Sequence, residues 1–373
     1  MIRAEQNSTS AMQMTAALSH GPHSPFTLDT VEIDEPRADE ILVRIVATGL
    51  CHTDLFTKSV LPERLGPCVF GHEGAGVVEA VGSAIDKVVP GDHVLLSYRS
   101  CGACRQCLSG HRAYCESSHA LNSSGARTDG STPIRRDGTP LRSAFFGQSS
   151  FAEYVIASAD NTVVVDPAVD LTVAAPLGCG FQTGAGAVLN LLRPEPDSTF
   201  VVFGAGSVGL AALLAARAAG VSTLVAVDPV AQRRALAEEF GAVTVDPSNE
   251  DVIDAVHAAT DGGSTHSLDT TGIGSVINQA VTSLRARGTL AVVGLGASTV
   301  EVNMADIMLS GKTIRGCIEG ESEVSTFIPE LVELFTGGRF PIDRLVTRYA
   351  FADINKAVED QASGRVIKPV LVC

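Results

Sequence analysis

The 373-residue sequence predicts a two-domain α/β protein: a β-rich domain, a doubly wound parallel sheet, and a return to the first domain. Three observations carry this. Short apolar runs separated by turns fill the first half. Near residue 180 the texture changes to strands alternating with alanine- and leucine-rich helices, the pattern of βαβ units. After about residue 325 that alternation stops, and the chain closes on one more strand. The expected division is 1–180, 181–324 and 325–373.

Residues 1–14 are polar and patternless and are expected to fray. Residues 41–47, 76–81 and 93–97 read as strands, punctuated by Gly74, Gly76, Gly82 and Gly91, and short strands of this kind suit a barrel. The long polar stretch 116–147 reads as a loop serving function or an interface. Beyond residue 180, strands are expected at 199–203, 224–227, 243–245, 267–269 and 290–293, with helices at 208–219 and 230–240. A helix at 327–336 and a strand at 367–372 complete the chain, and no internal repeat is present.

Composition excludes several classes. Apolar residues make up 45% and charged residues 18%, against long disorder. No run of about 18 uncharged apolar residues is present, so no membrane span is expected. The formal charge of −15 disfavours clamping a nucleic-acid backbone. Arg3, Glu5 and Gln6 sit where a secretion signal needs its apolar core, so a cytoplasmic protein is expected. Nine cysteines in such a protein point to metal or catalysis rather than disulfides.

Three motifs follow. Gly204-Ala-Gly206-Ser207-Val208-Gly209 leaves a predicted strand and opens a predicted helix, as a dinucleotide fingerprint requires. Its glycines serve a tight turn, close approach to pyrophosphate and helix–strand packing, while the helix start offers free N–H groups. Asp228 ends the next strand, where an acid accepts a ribose 2′-hydroxyl and repels a 2′-phosphate. NAD is therefore favoured over NADP, with Arg233 placed at the adenosine edge.

Cys101, Cys104, Cys107 and Cys115 have the spacing C-x2-C-x2-C-x7-C. Four thiolates close a tetrahedral zinc site with no position left for substrate. An iron–sulfur cluster also takes four thiolates and is the alternative. The third motif is dispersed: Cys51-His52-Thr53-Asp54, Gly71-His72-Glu73-Gly74 and Cys179. Two thiolates and an imidazole form a zinc site with an open fourth position, although spacing alone only suggests the grouping.

These motifs, in this order, resemble the zinc-dependent medium-chain alcohol dehydrogenases from about Thr15 to Cys373. The stretches VRIVATGLCHTDL and FFGQSSFAEYV are similar to the bacterial aryl-alcohol (benzyl-alcohol) branch. The resemblance implies a GroES-like β-barrel catalytic domain carrying two zincs, and a Rossmann domain inserted before the chain returns. It implies that Cys51, His72 and Cys179 ligate a catalytic zinc and that Asp54 orients the imidazole. Glu73 would stand behind the metal, Thr53 would bond the substrate oxygen, and Lys368 would contact the cofactor phosphate. Two positions depart from the family. His52 stands where many relatives have arginine, and Phe56 where some have the last histidine of a proton relay. Phenylalanine carries no proton, so the proton would leave through Thr53, the cofactor ribose and then water, or through His52; His52, which can also contact the cofactor pyrophosphate, is the expected base.

The expected reaction is reversible oxidation of a primary aryl or allylic alcohol to the aldehyde with hydride transfer to NAD. Val293, Leu295 and Ile318 are expected to border the nicotinamide and the pocket, with Tyr98, Leu121, Phe145 and Phe146 as further walls. Cys68, Cys317 and Cys373 have no derived role, and 319–323 is expected to be a solvated acidic face. The alternatives are a glutathione-type formaldehyde dehydrogenase using Arg112 and Arg127, an aliphatic or polyol dehydrogenase, and a catalytically dead binding relative. No nucleic-acid or membrane partner is expected. A homo-oligomer is expected, with the long 116–147 segment favouring a dimer over a tetramer.

Overall fold

The computed structural model describes residues 11–373. The expectation of a frayed start lies outside the described residues up to residue 10. Past that point it is corrected, because Met12–Ser19 is a strand paired antiparallel along its whole length with Phe26–Ile33. The segment MQMTAALS lacks a β-branched run, and the pairing rather than local propensity makes it a strand.

The first half contains two sheets. One runs Cys68–Val69, Met12–Ser19, Phe26–Ile33, Ile134–Arg136, Thr139–Pro140. The other runs Thr162–Val165, His93–Leu96, Gly74–Val81, Glu40–Gly49, Lys368–Val372, Val346–Ala350, with Tyr154–Ser158 also paired to Glu40–Gly49. Register shifts at Leu42/Val43 and Ile45/Ala47 bend that central strand. Leu18, Val31 and Val69 from the first sheet pack in one core with Leu42 and Leu371 from the second. The closing strand lies antiparallel to Glu40–Gly49, so the chain's end is built into the domain where it began.

The second half is a six-stranded parallel sheet ordered Val243–Val245, Thr223–Val227, Thr199–Phe203, Ser264–Asp269, Leu284–Val292, Thr313–Gly316. This is the 3-2-1-4-5-6 order of a Rossmann fold, whose switch point lies beside the first strand. Thr199–Phe203 is buried throughout, as a strand covered on both faces must be. The edge strand Thr313–Gly316 was not expected; its residues TIRG are all exposed and show no apolar run.

The 116–147 segment is a folded lobe and not a plain loop. It holds the helix Ser118–Asn122 and two short strands. The Arg127 guanidinium, 8% exposed, ties it to the body through Asp34 at 2.8 Å and Glu40 at 2.6 Å. Among the described residues, no helix is long and apolar enough to cross a membrane.

Candidate active site and metal centres

The four-cysteine motif folds on itself. The Sγ atoms of Cys101, Cys104, Cys107 and Cys115 lie within 4.8 Å of one another. Cys104 and Cys107 sulfurs are 3.4 Å apart and Cys101 and Cys107 3.9 Å, far beyond a disulfide. A tetrahedron of zinc–sulfur bonds of ~2.3 Å places its sulfurs about 3.8 Å apart, so the cluster fits a closed zinc site. Backbone N–H groups point at the sulfurs: Cys104 N to Cys101 Sγ, Cys101 N to Cys115 Sγ, both at 3.3 Å. Bonds from the Ala103 and Cys104 backbone lower the Cys101 thiol to about 6, while burial pushes Cys107 up to about 12.

The dispersed motif converges in the interior. Cys51, His72, Glu73 and Cys179 bring their ligand atoms within 4.8 Å, and all four are buried. Cys51 caps the helix His52–Val60, and Asp54 in its first turn does two things. Its Oδ2 accepts the Cys51 N–H at 3.0 Å, and its Oδ1 lies 2.8 Å from His72 Nδ1. With Nδ1–H donating to Asp54, His72 Nε2 is the ring nitrogen left for a metal, and it has no hydrogen-bond partner although buried. An orphaned ring nitrogen between two thiols is what a zinc site of Cys₂His type needs. The thiols share a proton: Cys179 donates to Cys51, which lowers Cys51 well below the usual thiol range and raises Cys179. Burial works against charge on His72, yet Asp54 and Cys51 together outweigh it and raise the imidazole.

Behind this set, Glu73 and Lys368 form an ion pair at 2.6 Å, both fully buried. Burial raises the Glu73 carboxyl to about 7 against the pull of Lys368. Glu73 also accepts the Gly180 N–H at 3.0 Å, which links it to the neighbour of Cys179.

In front, two connected hollows open between the domains. One, of about 220 Å³, is lined by Cys51, Thr53 and Cys179 on one side and by Val293, Leu295, Cys317 and Ile318 on the other. The second, of about 570 Å³, runs past His52, Gly206, Ser207, Val208 and Arg233. His52 and Val208 border both. The fingerprint glycines divide their work as expected. Gly204 has φ +92°, a Cβ on Gly209 would meet Gly204 O at 1.9 Å, and a Cβ on Gly206 would meet nothing within 4 Å. Gly206 is thus the open face that a pyrophosphate can approach. Asp228 is buried at the end of its strand, accepting from Ala205 N at 2.7 Å and Val230 N at 2.8 Å, with Arg233 at 3.5 Å.

The comparisons with known proteins agree with this geometry. Residues 37–167 match the alcohol dehydrogenase GroES-like domain and residues 207–335 the zinc-binding dehydrogenase domain. A geraniol dehydrogenase from Castellaniella defragrans is 44% identical, over 96% of this chain and 97% of that protein. The chain belongs to the zinc-dependent medium-chain alcohol dehydrogenases. The structure of a benzyl alcohol dehydrogenase from Acinetobacter calcoaceticus aligns to this dehydrogenase with a TM-score of 0.92 at 42% identity, covering 97% of this chain and 99% of that one. An S-(hydroxymethyl)glutathione dehydrogenase from Saccharomyces cerevisiae is 32% identical over 95% of both chains. This dehydrogenase is thus an oxidoreductase of zinc type, with a four-cysteine site and a second, catalytic-type zinc site in place.

Several expected positions are corrected. Lys368 does not face the cofactor hollow; its Nζ is sealed against Glu73 and the Leu50 carbonyl. Tyr98 is buried in the core and donates its hydroxyl to Ser322 O. Leu121 packs on Cys107 and Cys115 in the four-cysteine lobe, not on the cleft. Phe145 stands behind His72 at 5.5 Å, edge-on, whereas Phe146 reaches the cleft with its ring 4.5 Å from the imidazole. The 319–323 segment is no solvated face. Glu321 pairs with Arg315 at 2.9 Å, Glu323 with Arg112 at 2.7 Å, and Glu319 lines the cleft with its carboxyl 3.6 Å from Cys179 Sγ. Burial raises Glu319 to about 7. Sequence reasoning missed Glu319, Cys317, Thr183 and Thr270 as cleft residues. Its place directly after Ile318, an expected wall, was the available signal for Glu319.

Proposed function

We propose that this dehydrogenase oxidises primary aryl and allylic alcohols reversibly to aldehydes, with NAD as hydride acceptor. The observation that carries the reading is the lining of the 220 Å³ cleft: Phe146, Val293, Leu295 and Ile318 form apolar walls, and no lysine or arginine lines it among the described residues. A flat, apolar alcohol suits such walls. The glutathione-type alternative needs cationic groups for carboxylates, and both arginines considered for it are engaged elsewhere, Arg112 with Glu323 and Arg127 with Asp34 and Glu40. The geraniol and benzyl alcohol dehydrogenases among its relatives support the same substrate class.

Cys51, His72 and Cys179 would hold the catalytic zinc, whose Lewis acidity lowers the pKa of a bound alcohol. Asp54 fixes the ring of His72 so that Nε2 faces the two sulfurs. Thr53, bordering the cleft, would accept the hydroxyl proton as it gives up its own, and His52, which borders both hollows, would carry that proton towards solvent. Val293, Leu295 and Ile318, which line the cleft, would hold a nicotinamide beside the substrate and exclude water. Ser207 and Val208 present the helix start to the pyrophosphate. Asp228 supports NAD over NADP, because its buried charge repels a 2′-phosphate.

The chain is further proposed to form a dimer. The edge strand Thr313–Gly316 is open, and Met304, Met308 and Leu309 on the adjoining helix are 66%, 72% and 80% exposed. A free strand edge beside an apolar patch favours burial by a second copy. Sedimentation at micromolar concentration tests it. A screen of NAD reduction over benzylic, allylic and aliphatic alcohols and S-(hydroxymethyl)glutathione tests the substrate class. The expected order puts benzylic and allylic alcohols first; preferred turnover of the glutathione adduct would contradict the reading.

A further inference from the structure

We propose that Arg112 and Tyr114 are positioning residues for the alcohol. They reach from the four-cysteine lobe and brace the turn 316–323, whose Cys317 and Ile318 form one wall of the cleft. This rests on the substrate reading above and deepens it by naming what fixes the apolar wall.

The turn does not hold its shape alone. Glu319, Gly320 and Glu321 have φ of 49°, 65° and 50°, and only one of the three is glycine. Successive left-handed residues persist only where their surroundings fix them. Ile318, directly before them, is 49% exposed, so its own burial does little to anchor it. From behind, Asn190 Nδ2 donates to Gly320 O at 3.0 Å, and a Cβ on Gly320 would meet Gln182 O at 2.3 Å. Those contacts fix the middle of the turn and leave its two ends to other partners.

Both ends are gripped by residues next to the four cysteines. Tyr98, three before Cys101, donates its hydroxyl to Ser322 O at 2.5 Å. Arg112 Nε pairs with Glu323 at 2.7 Å, and its Nη1 donates to Ser100 Oγ at 3.3 Å. The Tyr114 hydroxyl lies 3.2 Å from both Gly316 O and Glu321 Oε1 and donates to one of them. Ala113, between Arg112 and Tyr114, is buried in the same core as Cys317. The lobe therefore holds the chain on either side of the two wall residues, at Gly316 before them and at 321–323 after them. The Arg112 and Glu323 side chains are 34% and 37% exposed, and a pair so exposed adds little to global stability. Its effect is on placement, where an error of ~1 Å can cost about a hundredfold in rate.

The test combines two readouts: kinetics with benzyl alcohol and ethanol, and hydrogen exchange of the free enzyme. Arg112→Met should raise KM for benzyl alcohol about tenfold while kcat stays within about twofold, as loss of a wall contact without loss of chemistry requires. Its preference for benzyl alcohol over ethanol in kcat/KM should fall about tenfold, because ethanol touches little of the wall. Tyr114→Phe should act in the same direction, and Arg112→Lys should restore most of the preference. Backbone amides in 316–323 should exchange about tenfold faster in Arg112→Met. Should Arg112→Met lose zinc or unfold, Glu323→Met breaks the same pair from the turn side, outside the lobe, and should give the same split. Unchanged exchange in 316–323, or a fall in kcat/KM equal for both alcohols, would overturn the proposal. A native enzyme with no preference for benzyl alcohol over ethanol would overturn the substrate reading, and the exchange measurement would still decide whether the brace exists.

Discussion

The two cysteine sites are made from the same chemistry in opposite ways. The four-cysteine site takes all its ligands from residues 101–115, with Cys101 exposed and backbone N–H groups steering the sulfurs. The Cys51–His72–Cys179 site gathers its ligands from three distant segments, buries them all, and supports them with side chains, Asp54 on the His72 ring and the Glu73–Lys368 pair behind. A local site is organised by the loop that bears it. A dispersed site depends on the whole fold, and in return it opens on a cleft. Loss of a ligand should therefore damage the lobe in the first case and chemistry in the second.

The largest effect is expected at the local site. Cys107→Ser removes a buried ligand from a lobe with little other core, and structural zinc is worth on the order of 10 kcal/mol to such a lobe. Limited proteolysis should cut within 100–120, and the thermal transition should fall steeply. At the dispersed site, His72→Ala leaves Asp54 buried without its imidazole, so the thermal transition should fall, but less than in Cys107→Ser, while kcat/KM falls about a thousandfold or more, measured by NAD reduction. Equal stability losses in the two variants would break the contrast.

Next comes the ion pair behind the dispersed site. Lys368→Met leaves Glu73 buried without a partner and should cost about 3–5 kcal/mol in denaturant unfolding, largely recovered by adding Glu73→Gln. The sign with pH follows. Burial raises Glu73 from 4.5 to about 7, so the native state retains a proton that the unfolded chain has lost between those values. Its contribution to stability is greatest below 4.5 and declines as pH rises to 7, and a pH series of unfolding curves on Lys368→Met, where the opposing pull of the lysine is removed, should show the decline continuing above pH 7. Asp54→Asn should lower zinc affinity or turnover about 10–100-fold by freeing the His72 ring, read from chelator competition. The smallest effect is at His52. His52→Gln should change kcat by only about tenfold but remove the acidic limb of the pH–rate curve, and an unshifted limb would exclude His52 as base.

The same contrast explains what could be read from the sequence. The four-cysteine site and the glycine fingerprint are contiguous, and their spacing dictates their geometry. Cys51, His72 and Cys179 came together only through resemblance, because no local spacing joins residues 128 positions apart. The cleft walls were legible where they follow a strand of the parallel sheet, as Val293 and Leu295 do. They were misread where burial and approach to the cleft look alike in one dimension: Phe145 and Phe146 are adjacent, yet the left-handed backbone at Phe146 (φ 51°) turns only that ring inward. Lys368 and Glu319 were misread for a related reason, since a charged residue in sequence carries no mark of its partner. Met12–Ser19 was missed because its strand is made by pairing with Phe26–Ile33.

The central claim is that one site builds the lobe and the other performs the chemistry. Zinc content of the purified native protein and of Cys179→Ala, measured alongside benzyl alcohol oxidation, tests it most directly. The account predicts two zincs per native chain, and one per folded Cys179→Ala chain with alcohol oxidation abolished. Retention of both zincs in the variant, or loss of both together, would contradict it.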